Sequence, residues 1–398
     1  MRMPRRTLAA VSAAAVLSTV AVAPTAGAAP VDDAARGGVV TSIIDALFGT
    51  DDADDADDAT DDPADPVAAT TPASSVPITA TPTPQPSTSP APLAAGAGDP
   101  APSAEQCSDL RGDADEVLRC SFFSPSMGRD IDVDVLAAAS PGAPVVYALD
   151  GMFTFGNENG WLRAGSGQLQ DVHDGRVTIV APVAPSGSFY ADWQGLQAGQ
   201  PAKWETFLTR ELPGQLAERF GADTSRMGVM GMSMGGYAAA MLASRNPEMF
   251  DAVYALSGFY NLDDPVQRRI IDLGPLETGA NAGTEMWGPF LSNIATWRAH
   301  SPAANAANLT MPVRLTAANG ARSLDAPSEN AIDAWIKGAP METASAAMTR
   351  QFHRSLVVAG NGGNVDLVIS PLGAHEWSTW RADVRGGGWD WMMSNLGV

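Results

Sequence analysis

The stretch RMGVMGMSMGGYAAAM, residues 226–241, decides the fold. Its first seven residues, apolar after Arg226, read as a buried strand; GGYAAAMLASRNP (235–247) reads as a helix. Between them lies Gly231-Met232-Ser233-Met234-Gly235, a G-x-S-x-G pattern in the strand–turn–helix setting that this pattern requires. So sharp a turn leaves no room for a Cβ at either flanking glycine. It lifts one hydroxyl, Ser233, to the carboxyl edge of a sheet, over the positive end of a helix dipole.

Outward from this turn, apolar runs alternate with helical patterns. APVVYALDG (143–151), RVTIVAPVA (176–184), DAVYALSG (251–258), MPVRLTAANG (311–320) and VDLVISP (365–371) are strand-like. KWETFLTRELPGQLAERFG (203–221), SENAIDAWIKG (328–338) and METASAAMTRQFHRSL (341–356) have helical spacing. Such alternation predicts an α/β fold, a mostly parallel central sheet with helices on both faces.

A serine hydroxyl is a weak nucleophile until a base removes its proton. Of the four histidines, His353 falls in a predicted helix beside two arginines, and His173 and His300 lie in polar loop-like stretches. His375 follows the last strand in LGAHEWSTW, where the third member of an α/β-hydrolase triad falls in the chain order serine, acid, histidine. Spacing leaves four acids open between them: Asp325, Glu329, Asp333 and Glu342.

The N-terminal segments differ from the rest. Residues 1–28 carry Arg2, Arg5 and Arg6, then an alanine-rich apolar run and Ala26-Gly27-Ala28, the pattern of a cleaved secretory signal peptide. Residues 29–104 hold 13 acids against one arginine, followed by a Pro/Thr/Ser-rich tract, and are expected to form a disordered stalk. The folded domain is expected over 105–398. Cys107 and Cys120 have neither zinc nor redox spacing; outside the cytoplasm they are expected to form a disulfide. The chain carries a net charge of −21 without a basic stripe, which argues against nucleic acid. No cluster of metal ligands is visible, and no cofactor is expected.

Several blocks resemble the mycolyltransferase (antigen 85) family of α/β-hydrolase esterases: YALDGM (147–152), Trp161, SGSFYADW (186–193), KWETFLTRELP (203–213), GMSMGG (231–236) and GAHEWSTW (373–380). The resemblance spans about residues 125–395. It implies Ser233 as nucleophile, His375 as base and Glu342 as the acid. The backbone amides of Met152 and Met234 are the implied oxyanion donors, Asp150 an implied sugar contact and Trp377 an aromatic beside the base.

Three departures bear on the acceptor. Phe153 stands where the family commonly has an arginine, Glu376 replaces a serine after the base, and QGLQAGQPA (194–202) lacks two cysteines found in some members. The expectation is therefore a secreted or envelope-associated acyltransferase that moves a mycolic-type acyl group from acylated trehalose to a sugar or envelope glycan through an acyl-serine. A carboxylesterase using water, and a non-catalytic surface adhesion protein, are the alternatives.

Overall fold

The computed structural model describes residues 107–109, 117–152, 158–163, 169–273, 282–321 and 338–398. The leader, the stalk, Phe153, the helical pattern of 328–338 up to residue 337, and the acids Asp325, Glu329 and Asp333 lie outside these residues.

A short strand, β1 (Cys107–Asp109), pairs antiparallel with β2 (Val117–Ser124), with Cys107 directly opposite Cys120. The two sulfurs are bonded, as expected, across a Cα–Cα distance of 4.1 Å. The bond staples the first described strand to the sheet. Next along the chain come β3 (Arg129–Leu136), β4 (Pro144–Leu149), β5 (Thr178–Pro182), the hairpin β6 (Asp192–Gln197) and β7 (Gln200–Lys203), and β8 (Asp223–Met232). The last three strands are β9 (Ala252–Leu256), β10 (Val313–Ala318) and β11 (Val365–Ser370). All but the hairpin form one sheet in the order β1-β2-β3-β5-β4-β8-β9-β10-β11. Pairing is antiparallel as far as β3–β5 and parallel from β5 to β11.

The predicted strands all form, whereas β1 to β3 and the hairpin were not foreseen. β2 and β3 carry Arg119, Asp130, Asp132 and Asp134, which break up the apolar run that marks a central strand. The charges are tolerated because Asp130 and Asp132 face solvent on the sheet's outer, antiparallel part, while the buried Asp134 is paired with Arg119 at 2.5 Å.

The helices that cover the sheet or carry site residues are α1 (Leu212–Phe220), α2 (Met234–Arg245), α3 (Pro265–Leu273), α4 (Ile294–Ala299), α5 (Ala339–Val358), α6 (Trp377–Asp383) and α7 (Trp389–Asn395). The two-residue period of the strands sorts their side chains between two cores. Val145, Tyr147 and Leu149 of β4 point to one, with Tyr237 of α2 and Phe352 of α5. Val146 and Ala148 point to the other, with Trp377, Trp380 and Met392 of α6 and α7. Helices thus cover both faces, and the inner strands have none to spare for water. None of the helices is long and apolar enough to cross a membrane among the described residues.

Register then decides where chemistry can occur. Leu149 pairs with Gly231, Met232 with Leu256, Leu256 with Thr316, and Ala318 with Ser370. The ends of β4, β8, β9, β10 and β11 therefore share one edge. Asp150, Ser233, Ser257 and the loop bearing His375 all leave from it. This is the carboxyl edge of a parallel sheet, where open α/β sheets bind their ligands.

Candidate active site

Ser233 sits between β8 and α2 with φ at +56°, a conformation that a residue with a Cβ adopts only when its surroundings impose it. The surroundings are two close approaches. A Cβ at Gly231 would lie 2.4 Å from the Gly235 backbone, and one at Gly235 would lie 2.1 Å from the Leu149 carbonyl oxygen. Helix α2 is thereby pressed against the ends of β4 and β8. The Ser233 amide donates to Leu256 O at 2.8 Å, and its carbonyl accepts from Tyr237 N at 3.0 Å, closing the first helical turn.

Glu342 lies in the first turn of α5 and has no solvent exposure. Its Oε2 meets His375 Nδ1 at 2.8 Å. Its Oε1 accepts from Ser257 Oγ at 2.7 Å and from Ala318 N at 2.6 Å. A buried carboxylate is costly unless donors converge on it, and here three do. The His375 loop is held by its own amide, which donates to Gly338 O at 2.9 Å. With Nδ1 directed at the carboxylate, the other ring nitrogen, Nε2, is left buried and without a hydrogen-bond partner. No hydrogen bond joins His375 to Ser233 in this structure. Such bonds are often long before substrate binds and tighten in the reacting complex.

The loop after β4 is held from inside. Asp150 Oδ1 accepts from Gly151 N and Oδ2 from Gly160 N, each at 2.8 Å, and its amide donates to Tyr190 Oη at 2.8 Å. Burial pushes the Asp150 carboxyl up to about 6, against the pull of the Gly160 and Gly151 amides and the Arg163 charge. At 1% exposure and with both oxygens engaged, Asp150 clamps the loop that leads to Met152. Met152 is fixed in turn, its carbonyl accepting from Ser186 Oγ at 2.6 Å. Met234, at the start of α2, is fully buried.

Trp377 and Trp380 follow the base in the chain. Trp377 is 5% exposed and packs edge-on against Trp161 and Trp380, with ring centroids 5.3 and 5.4 Å apart. It is Trp380 whose indole stands edge-on to the His375 ring, at 5.0 Å and 88°. Trp380 and Ser257 are the two site residues that sequence reading missed. The available signals were slight: a second tryptophan one helical turn after Trp377, and a serine before a glycine at a strand end.

The remaining histidines lie elsewhere. His173 Nε2 is within 2.8 Å of Val177 O, and His353 is partly buried on α5. His300 is not the isolated loop residue that its sequence suggests. It lies 7% exposed beside Glu205 and Trp287, in a polar pocket of about 370 Å³ at the far end of α2. No group of three or more His, Cys, Asp or Glu side chains is arranged to hold a metal ion among the described residues.

Known proteins share this arrangement of chain. The diacylglycerol acyltransferase/mycolyltransferase Ag85B of Mycolicibacterium smegmatis is 29% identical over 280 residues, covering 66% of this chain and 80% of that protein. The protein of the same name from Mycobacterium leprae is 27% identical over 280 residues, with 66% and 79% covered. Among solved structures, MPT51 (FbpC1) of Mycobacterium tuberculosis superposes with a TM-score of 0.56 at 27% identity, over 69% of this chain and 97% of that one. An S-formylglutathione hydrolase from Agrobacterium tumefaciens, 18% identical with a TM-score of 0.50 over 71% and 97%, shares the fold. That fold is the α/β-hydrolase fold. A family model described as "Putative esterase" matches residues 124–387. Since this match runs from the end of β2 to the turn before α7 and takes in well over half of the sequence, the chain belongs to that esterase family.

Proposed function

We propose that the protein is an exported serine acyltransferase, which takes a fatty acyl group of mycolic type from an acylated trehalose and passes it to a hydroxyl of a sugar or envelope glycan. The observation that carries the chemistry is the buried Glu342–His375 pair, 2.8 Å apart, at the sheet edge that also presents Ser233 on its strained turn. The choice of acyl donor rests on the likeness to proteins named as diacylglycerol acyltransferase/mycolyltransferase. The arginine-bearing, alanine-rich start of the chain supports export to the cell envelope.

In the first step His375 Nε2 takes the Ser233 proton while Oγ attacks the ester carbonyl carbon, and the carbonyl oxygen gains the negative charge. The backbone amides of Met152 and Met234 receive that charge; one such donor typically lowers the barrier by about 3 kcal/mol. Glu342 stabilises the imidazolium and fixes its tautomer without taking the proton. Collapse breaks the bond to the sugar oxygen, which leaves with the imidazolium proton, and the acyl group stays on Ser233. An acceptor hydroxyl then repeats the sequence in reverse: His375 removes its proton, its oxygen attacks the acyl carbon, and the proton returns to Ser233. Asp150 and Trp377 act from within the fold, Asp150 by holding the oxyanion loop and Trp377 by wedging Trp380 against the base.

Two measurements test the reading. A fluorophosphonate probe is expected to label the protein and to lose its target in Ser233→Ala; equal labelling of the variant overturns the nucleophile. Incubation with a trehalose monoester is expected to give diester. Free fatty acid as the sole product makes the protein a carboxylesterase, and no turnover beside no labelling leaves a non-catalytic surface protein.

A further inference from the structure

Ser257 leaves the end of β9 with φ at +49°, a second left-handed non-glycine residue at the reacting edge. It is 2% exposed, and its amide donates to Thr316 O at 2.7 Å. Its hydroxyl stands between two partners whose chemistry fixes its direction. The Trp380 indole N–H, 3.0 Å away, can only donate. Ser257 Oγ must therefore accept there, and its one hydrogen goes to Glu342 Oε1 at 2.7 Å.

The consequence falls on the acid. Oε1 is held by two donors from the ends of adjacent strands, Ser257 Oγ of β9 and Ala318 N of β10. Oε2 is left for His375 alone. The same indole that orients the Ser257 hydroxyl also packs its ring against the imidazole, so one side chain touches the base and, through Ser257, the acid. Neither residue is itself placed to touch a substrate. A local strain of this kind persists when the surrounding structure over-determines it, and such strains cluster at functional sites.

We propose that Ser257 is a positioning residue of the acyl-transfer site, acting with Trp380 as a single tether that fixes the Glu342 carboxylate, and through it the tautomer and ring orientation of His375. The inference rests on the acyl-serine reading above.

The test uses three variants with a short-chain p-nitrophenyl ester. Ser257→Gly removes the hydroxyl while relieving the positive φ, so it separates positioning from folding; Ser257→Ala removes the hydroxyl and keeps the strain. Each is expected to lower kcat about tenfold, the value of a hydrogen bond to a charged group, with KM changed less than about twofold. Trp380→Phe keeps a ring against His375 and removes the N–H; a fall of about threefold is expected, since the bond lost here is between neutral groups. The double variant Ser257→Gly/Trp380→Phe is expected to be no slower than Ser257→Gly alone, because the two act through one hydroxyl. The low-field proton resonance of His375 Nδ1–H is expected to move in every variant. A Ser257→Gly enzyme with unchanged kcat and an unmoved resonance overturns the inference, as does an additive double variant. Ser233→Ala separates the two readings. If it keeps turnover, the acyl-serine reading falls and this inference with it. If it is inactive while Ser257→Gly is fully active, only this inference falls.

Discussion

Helix α2 runs between two buried clusters, each containing a glutamate, a histidine and a tryptophan. At its N-terminal end stand Glu342, His375 and Trp380; at its C-terminal end, about 18 Å away along 12 helical residues, stand Glu205, His300 and Trp287. The residue types match but the wiring does not. Glu205 is already neutralised by Arg245, whose Nε lies 2.8 and 3.0 Å from the two carboxylate oxygens, and it also accepts from Asn246 Nδ2 at 3.3 Å. His300 directs Nδ1 at Thr296 O, 2.8 Å away, which makes Nδ1 the protonated nitrogen. Burial, assisted by the Arg245 charge, pushes its pKa down to about 4. Glu342, by contrast, meets only neutral hydrogen-bond donors apart from His375. The cation available to it is the imidazolium that forms when His375 accepts a proton. A buried carboxylate paired with arginine is a structural tie; one that is solvated by neutral donors and faces a histidine is free to stabilise the imidazolium that forms there.

The strongest way to break this contrast is to remove the hydroxyl it depends on. Ser233→Ala is expected to lower kcat by about 10⁴-fold or more, leaving the contribution of the oxyanion donors and binding. Thermal unfolding is the control, and its midpoint is expected to hold. Next is Glu342→Gln. Ser257 Oγ and Ala318 N would keep the amide oxygen on the Oε1 side, so the NH₂ group faces His375 Nδ1 and forces the proton onto Nε2. A base in that tautomer cannot take the serine proton, and a fall in kcat of about 10³-fold is expected with KM little changed. The same substitution at the other end, Glu205→Gln, is expected to leave kcat within about twofold while lowering stability by about 2–3 kcal/mol, because Arg245 loses its buried partner. Denaturant titration and steady-state rates on the two glutamine variants decide the matter. A Glu205→Gln enzyme that is catalytically crippled, or a Glu342→Gln enzyme that is merely unstable, erases the distinction.

The sequence carried the local part of this architecture and little of the remote part. Ser233 was legible because its turn is written in adjacent residues, two glycines whose absent side chains admit the ends of β4 and β8. His375 was legible from chain order. The acid was not legible from spacing, which left four carboxylates within range; the resemblance singled out Glu342, and its convergence with β9 and β10 is what spacing cannot express. Ser257 and Trp380 are separated by 123 residues and meet through one hydrogen bond, so neither stands out from its neighbours in the chain. Asp150 is a different case. The resemblance implied a contact with sugar, and the residue that holds its carboxylate in the structure, Gly160, lies ten residues on and folds back to it. His300 was passed over for the same reason as Ser257, since Glu205 and Arg245, which give it meaning, come from two other helical segments.

The smallest effects on rate arise from two buried groups whose pKa values are shifted in opposite directions, and these are read mainly in stability. Asp150 holds its proton up to about pH 6 in the folded chain, whereas an unfolded aspartate releases it near 4. Between these values the native state binds more protons, so this group's contribution to stability falls as pH rises. His300 runs the other way. The unfolded histidine takes up a proton near 6.5 and the folded one resists until about 4, so its contribution falls as pH drops through that window. Each contribution is about 3 kcal/mol across its window, and between about pH 4 and 6 the two largely cancel. His300→Gln exposes them separately. Relative to the wild type, it is expected to gain about 3 kcal/mol as pH is lowered from about 6.5 to 4, read as the difference between their urea midpoints. Asp150→Asn is expected to lose ground over the same descent, because it lacks the group that favours the folded state in acid. Its kcat is expected to fall as well, since an amide cannot accept from Gly151 and Gly160 at once, whereas His300→Gln leaves kcat unchanged. A constant gap between His300→Gln and the wild type across that range would mean that His300 is solvated and titrates normally, and the pocket at the far end of α2 would then be open to water in a way that the buried Glu342–His375 pair is not.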